Sequence, residues 1–395
     1  MSIIRLKSGR QKLARKHHPW VFSGAIAAVE GKPQPGDVVT VQDANGMFVA
    51  HGYYNRKSQI AVRLLDWDES QVIDEAWWRA RIKEALGRRN TLLEQVETDA
   101  YRLVHAEADF LPGLIVDKYA DFVVVQALTA GVERVKAIIV DELVSLVQPA
   151  GIYERSDPSV REVEGLAPAA ATRFGEAPPD TVEIKENNLR FLVDLKAGQK
   201  TGFFLDQREN RKVAAGLVEG RHVLDCFCYT GGFSVYARAA GAASVTSADT
   251  SESALVLLRK NFEINEMPFE ESDLVKDDVS HLLRHYRDTG RKFDLVILDP
   301  PKLAPNKVHL EKAQRAYKDM NLLAMKILNP NGMLLTFSCS GAVTPERFQQ
   351  VVAWATVDAG REVQITGHLS QAPDHPIRLS FPESHYLKGL VCRVI

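Results

Sequence analysis

Cysteine is scarce in this 395-residue chain: only Cys226, Cys228, Cys339 and Cys392 occur. Four thiols are too few for a disulfide framework at this length and lack the paired spacing of a zinc site, so free thiols, no metal centre and one candidate nucleophile are expected. Long hydrophobic runs are missing too. None approaches the roughly 20 residues of a membrane span, and charges occupy the N-terminal stretch where a signal peptide needs its apolar segment, so no membrane partner and a cytoplasmic location are expected. Neither sign of charge dominates: 49 Lys and Arg face 51 Asp and Glu, a net charge of −2. Any nucleic-acid surface must therefore come from local clustering. Internal repeats and low-complexity tracts are absent, as is the G-x-G-x-x-G fingerprint that cradles a pyrophosphate. With 45% hydrophobic residues in 395, the chain exceeds one typical core and predicts two or three domains.

Local clustering appears at once. Arg5, Lys7, Arg10, Lys12, Arg15 and Lys16 crowd the first residues, followed by His17, His18 and Pro19-Trp20-Val21-Phe22. Such a run alone is usually a solvated face, but cations beside aromatics also suit phosphate contact with base stacking. Short β-rich runs at Val38–Val41, Phe48–Tyr54 and Ile60–Leu65, separated by Pro35-Gly36-Asp37 and Asn45-Gly46, predict a small barrel over residues 1–72. Over this stretch the sequence resembles the PUA domain, a small RNA-binding barrel.

Residues 73–180 read as a middle α+β domain with a linker. Glu75–Gln95 has helical period, with Trp78, Ile82, Ala85, Leu86 and Leu93 on one face and Arg79, Arg81, Lys83, Arg88 and Arg89 outside. Strands at Tyr101–His105, Leu114–Val116 and Phe122–Leu128, a helix at Val132–Val147 and a strand at Gly151–Arg155 follow. Between Ala167 and Asp180 the composition shifts to Ala, Pro and Gly, which reads as the linker.

From 181 to 395 the pattern is α/β. A hairpin turning at Asn187-Asn188 leads to Gly198-Gln199-Lys200-Thr201-Gly202-Phe203-Phe204-Leu205-Asp206-Gln207-Arg208, an unusual mixture for a connector. Strands and helices then alternate from His222 to Ala359, which predicts a doubly wound parallel sheet. Val363–His368 and Gly389–Val394 have no helix between them and predict an antiparallel hairpin at its edge. Open sheets of this kind bind ligands at the carboxyl ends of their strands. Carboxylates stand there repeatedly: Asp225 on the first strand, Asp249 on the second, Asp277-Asp278 on the third and Asp299 on the fourth. Tyr229-Thr230-Gly231-Gly232 follows the first strand and lets backbone approach a ligand closely. Asp249 suits ribose hydroxyls, and Asp277 and Asp278 suit an adenine amino group. Without a phosphate loop, this set fits a cationic nucleoside cofactor, S-adenosylmethionine. At least one of these carboxylates should simply cap the helix that follows.

These motifs resemble the class I S-adenosylmethionine-dependent methyltransferases, with their Rossmann-like sheet. In order, the barrel, the α+β unit, Gly198–Arg208, Asp225–Phe233, Asp299-Pro300-Pro301-Lys302 and Ser338-Cys339-Ser340 resemble the RNA cytosine-C5 methyltransferases of large-subunit ribosomal RNA. The resemblance implies ribosomal RNA as partner and leaves a homodimer open. It implies cofactor contacts from Phe203, Arg208, Asp225, Tyr229, Thr230, Gly231, Asp249, Asp277, Asp278, Asp299 and Pro300. RNA contacts fall to Lys200, Phe204, Pro301, Lys302 and Arg155, with Arg10, Lys12, Arg15 and Trp20 on the barrel.

Carbon 5 of cytosine is a poor nucleophile and needs prior addition at carbon 6, which a thiolate does best. Cys339, at a strand end between two serines, is the candidate; Cys226, Cys228 and Cys392 read as small buried hydrophobes. Asp299, stiffened by two prolines that each fix their own φ, would bond the base and protonate ring nitrogen 3. Related enzymes often carry a second cysteine after the paired prolines; here that position is Lys302, which matches the single-cysteine ribosomal subfamily. Three other readings compete: a guanine-N methyltransferase of the same fold, a non-catalytic RNA-binding assembly factor, and a nicotinamide oxidoreductase weakened by the missing phosphate loop.

Overall fold

The computed structural model describes residues 2–93, 96–304 and 307–395, with the side chains at 92, 93 and 307 also left out. The described residues form two compact units: Met1–Asn187 with Val193–Leu205 and Pro373–Ser384, and Asn188–Leu192 with Asp206–Ala372 and His385–Ile395.

In the first unit, β1 (Ser2–Leu6), β2 (Trp20–Val21), β3 (Ile26–Glu30), β4 (Val38–Gln42), β5 (Phe48–Tyr54) and β6 (Val62–Asp66) make a six-stranded sheet in the order β2-β6-β5-β4-β1-β3. The basic start is thus built into the barrel. Ile4 and Leu6 point into the core with Val39, Val41, Val62 and Leu64, while Arg5 between them bonds Glu30 at 2.7 Å. A short helix α1 (Gln11–Arg15) follows β1.

Helix α2 (Glu75–Leu93) buries Trp77, Trp78, Ile82 and Ala85; the last two residues of the predicted Glu75–Gln95 lie outside the described set. Arg89 is a correction. It is 1% exposed and forks onto Asp109, because the helix turns this arginine inward where a carboxylate neutralises it. Strands β7 (Ala100–His105), β8 (Leu114–Tyr119), β9 (Phe122–Ala127) and β10 (Gly151–Ser156), with α3 (Ala130–Val147) and α4 (Pro158–Glu164), form the predicted α+β unit. The linker reading of 167–180 fails in part. Ala169–Gly175 is a fifth strand, β11, antiparallel to β10 at the sheet edge. An edge strand half open to water needs backbone bonds more than apolar side chains, so its small-residue composition concealed it.

After the hairpin β12 (Val182–Glu186) and β13 (Leu189–Val193), the second unit's helices and strands run α5 (Arg208–Ala215), β14 (His222–Cys226), α6 (Gly232–Ala239), β15 (Ser244–Asp249), α7 (Glu252–Ile264), β16 (Leu274–Lys276), α8 (Val279–Thr289), β17 (Phe293–Leu298), α9 (Leu310–Ile327), β18 (Leu328–Ser338), α10 (Pro345–Ala359), β19 (Val363–Ser370) and β20 (Lys388–Val394). The sheet order is β16-β15-β14-β17-β18-β20-β19. The first five strands are parallel, and β20 and β19 close the edge antiparallel, as expected. Successive strand residues face opposite sides. Val223, Leu295 and Ile297 pack with α5 and α6, whereas Leu224, Val296 and Leu298 pack with α8, α9 and α10. Both faces are buried, which is why these strands read as continuous apolar runs.

Candidate active site

Neighbouring carboxyl ends of β14, β15, β17 and β18 gather the candidate residues of the second unit. Asp225, one residue from the end of β14, is 1% exposed. Its Oδ2 accepts from Ser234 Oγ at 2.6 Å, and its Oδ1 is buried without a hydrogen-bond partner. Burial pushes this carboxyl up to about 7, Asp249 adds to the rise, and Ser234 opposes it. The following turn is conformationally costly. Phe227 and Tyr229 adopt φ of 63° and 49°, a left-handed geometry that non-glycine residues hold only where surrounding structure enforces it. Gly231, φ 82°, caps α6, and a Cβ there would stand 2.6 Å from Leu258. Asn261 Nδ2 donates to Thr230 O at 2.9 Å, while the buried Thr230 hydroxyl has no partner.

Asp249 is half-buried and accepts backbone N–H groups from Tyr229 and Ser251, both at 2.9 Å. Each oxygen retains a lone pair for a ligand hydroxyl. Asp278 is the residue that caps: it begins α8 and accepts from His281 N at 3.0 Å. Asp277 is held below the usual carboxylate range, chiefly by His281, whose ring lies 2.9 Å away.

Asp299 follows β17. Gln207 Nε2 donates to its Oδ2 at 2.9 Å, and Asn210 in turn donates to Gln207 Oε1 at 2.5 Å. Loss of water around this carboxyl pushes it up to about 7; Asp206 and Asp225 push the same way, while Gln207 and Arg211 oppose. Leu298 pairs with Thr336, so β18 delivers Cys339 next to the Asp-Pro-Pro loop. The half-buried Cys339 Sγ lies 3.9 Å from Pro300 O. Ser340 Oγ accepts from Ala304 N at 3.0 Å, tying the loop after the prolines to the cysteine segment, and Tyr317 OH sits 3.1 Å from the same oxygen. Pro300 is buried, whereas Pro301 and Lys302 are exposed. Cys226, Cys228 and Cys392 are all buried, and burial drives their thiols up, Cys392 to about 12.

Lys388, absent from the sequence reading, stands at the start of β20 opposite Ser338. Its buried ammonium donates to Ser340 O at 2.8 Å and Val343 O at 2.7 Å. Burial lowers it to about 8, and interaction with Cys339 works against that fall. It is a cation at neutral pH, clamping the turn that carries the sulfur. Lys388→Met is expected to slow alkylation of Cys339 by iodoacetamide several-fold at pH 7, with Lys388→Arg closer to wild type and the difference vanishing above pH 8. Equal rates at pH 7 would show that Lys388 does not activate the sulfur.

Other expected residues lie in the first unit or inside the packing. Arg208 is buried and donates to Glu209 at 3.2 Å. Phe203 is buried in the first unit, Phe204 is half-buried, and Lys200 is exposed with φ 55°. Thr201 Oγ1 ties their loop to Asp117 at 2.6 Å. Arg155 bonds the carbonyls of Gly198 and Leu195, so it supports this loop. Arg10 and Lys12 are exposed, Arg15 pairs with Asp43 at 2.7 Å, and Trp20 is half-buried with its indole N–H on Glu107 at 2.8 Å. Among the described residues no three His, Cys, Asp or Glu side chains gather as a metal site, and no helix is long and apolar enough to cross a membrane.

The doubly wound sheet and the family match define a methyltransferase, and the strained turn, half-buried Asp249 and unpartnered Asp225 oxygen fit the polar groups of S-adenosylmethionine. The S-adenosylmethionine-dependent methyltransferase family model matches residues 164–376, and the PUA-like domain matches 4–67. Ribosomal RNA large subunit methyltransferase I of Tolumonas auensis is 47% identical over 393 residues, 99% of each chain. The enzyme of the same name from Klebsiella pneumoniae is 45% identical over 390 residues, 99% of this chain and 98% of that one. SMU.776, solved in complex with SAH, shares the fold with a TM-score of 0.87 over 100% of both chains at 23% identity. The chain belongs to the ribosomal RNA large subunit methyltransferase I family of S-adenosylmethionine-dependent methyltransferases.

The raised Asp225 carboxyl has a stability consequence. The folded protein holds a proton there up to about pH 7, whereas the unfolded chain releases it near about pH 4. Its contribution therefore declines as pH rises through that window. Asp225→Asn is expected to stabilise the cofactor-free protein by about 2 kcal/mol at pH 8 and by much less at pH 5, while weakening S-adenosylmethionine binding at least about tenfold. Thermal melts at both pH values and titration calorimetry check this; a pH-independent difference in melting temperature would contradict it.

Proposed function

We propose that this protein transfers the methyl group of S-adenosylmethionine to carbon 5 of a cytosine in large-subunit ribosomal RNA, through a transient bond between Cys339 and carbon 6. The observation that carries this reading is the placement of Cys339 and Asp299 at the ends of adjacent strands, with the sulfur 3.9 Å from Pro300 O. The cofactor would rest against Asp225, Tyr229, Thr230, Gly231 and Asp249. When bound it supplies an electrophilic methyl group.

The Cys339 thiolate adds to carbon 6, and the displaced electron pair is taken up at ring nitrogen 3, which receives a proton from Asp299. A carboxyl pushed up to about 7 is still largely protonated just below neutrality and can serve as that donor. The resulting enamine makes carbon 5 nucleophilic toward the methyl group. A base then removes the carbon-5 proton, the 5,6 double bond re-forms, the carbon–sulfur bond breaks, and nitrogen 3 returns its proton to Asp299. Lys388 holds the Ser340 and Val343 carbonyls of the turn after Cys339, and its charge interacts favourably with the sulfur.

The names of the relatives supply the ribosomal RNA half of the proposal. Incubation of undermethylated large-subunit RNA with the protein and labelled S-adenosylmethionine, followed by nucleoside mass spectrometry, should yield 5-methylcytidine. A labelled guanosine in its place would transfer the activity to an exocyclic or ring nitrogen.

A further inference from the structure

The basic run and its aromatics serve different ends from those the sequence suggests. Trp20 is engaged by Glu107 and packs edge-on against Phe381 and His18. The aromatic surface beside the cations is built instead around Trp67. His17 lies flat on the Trp67 indole, with ring centroids 4.7 Å apart and planes 9° from parallel. The guanidinium of Arg378 sits 5.4 Å from the Trp67 ring and 4.3 Å from the Phe110 ring, and Arg88 sits 5.9 Å from Phe110. Aromatic rings and guanidinium planes thus alternate along one wall.

This ladder is fixed in place at every rung. The Trp67 indole N–H donates to Ala14 O at 2.7 Å, and Arg378 donates to His17 O at 2.8 Å and Glu107 O at 3.0 Å. His17 and Phe110 both take left-handed backbone, φ 63° and 64°, which side chains adopt only under constraint. Yet both remain exposed, Phe110 by 38%. They flank a cavity of about 470 Å³ whose walls also include Asp68 and Arg88.

We infer that this cavity is a stacking subsite for an unpaired nucleobase of the RNA substrate, with the neighbouring backbone running along α1. Flat aromatic and guanidinium faces receive bases irrespective of their sequence. The charge distribution sets the polarity of binding. At the cavity Arg81 neutralises Asp66 and Glu84, at 2.9 and 3.0 Å, which leaves the exposed Asp68 as an acceptor for base N–H groups. The exposed Arg10, Lys12 and Lys16 around α1 attract phosphates outside it, and α1 ends two residues before His17. The subsite rests on the reading of RNA as substrate; its residues belong to the first unit and the proposed methyl-transfer residues to the second.

The test is fluorescence anisotropy of the full-length protein with a short, unstructured, labelled oligoribonucleotide. His17→Asn and Phe110→Asn keep residues that tolerate left-handed backbone but remove the rings. Together they should weaken binding roughly ten- to hundredfold with little change in salt dependence. Phe110→Tyr should bind like wild type, which separates loss of stacking from loss of fold. Lys12→Gln with Lys16→Gln should instead lower the salt slope. Unchanged affinity in the Asn double variant would overturn the subsite and leave the methylation proposal standing. A wild-type protein that binds S-adenosylmethionine but neither single-stranded nor duplex RNA would overturn both.

Discussion

Cys339→Ala is expected to reduce methyl transfer by about 10⁴-fold or more while S-adenosylmethionine binding changes by less than about threefold. The separation follows from position. The proposed cofactor residues stand on β14, β15 and the turn before α6, whereas Cys339 stands after β18 and approaches the Asp-Pro-Pro loop from the other side. Removing a nucleophile that forms a covalent intermediate eliminates the pathway rather than weakening one contact, which explains the expected size of the loss. The sulfur is half-buried and packs at the margin of the core that includes Phe337 and Leu387. Its removal should cost about 1 kcal/mol of stability, too little to unfold the chain. Calorimetry with S-adenosylmethionine and a single-turnover methyl-transfer assay on the same preparation measure the two quantities. Retention of more than a tenth of the wild-type rate would exclude Cys339 as the attacking group.

Asp299→Asn should lower the rate by about 10²- to 10³-fold and should also change the shape of the pH profile. The direction follows from the raised carboxyl. Below about 7 Asp299 holds the proton that nitrogen 3 requires, and above it the proton is lost, so the wild-type rate should fall on the alkaline side. An amide has no proton to give up in this range, so Asp299→Asn should lose that alkaline fall. Because Gln207 bonds Asp299 at 2.9 Å and opposes its rise, Gln207→Leu should move the alkaline limb upward in pH. An alkaline limb of the same midpoint in Asp299→Asn would assign that titration to another group.

The second unit was legible because both faces of its sheet are covered: strands such as Phe293–Leu298 become unbroken apolar runs, and Pro300-Pro301 marks their end. The strand-end carboxylates were legible for the same reason, since a polar residue closing an apolar run stands out. β1 was obscured because Arg5, with its side chain outside the core, interrupts a pattern that Ile4 and Leu6 complete inside it. β11 was obscured because an edge strand carries little apolar signal. Arg89 and Arg155 look like surface cations until Asp109 and the Gly198 carbonyl are brought to them by the fold. Lys388 and Gln207 could not be found from spacing at all. Their partners lie 48 and 92 residues away in the chain, so even the place of Gln207 in the Gly198–Arg208 stretch does not reveal its bond to Asp299.

Catalysis as proposed requires a covalent bond between Cys339 and carbon 6 of the target cytosine. It is tested most directly with ribosomal RNA in which 5-fluorocytidine replaces cytidine, because fluorine cannot leave as the carbon-5 proton does and the adduct is trapped. After incubation with S-adenosylmethionine, denaturing electrophoresis should show protein and RNA joined, and peptide mass spectrometry should place the nucleotide on Cys339. No adduct under conditions where unmodified RNA is methylated at cytosine, or an adduct on Cys226, Cys228 or Cys392, would contradict the mechanism.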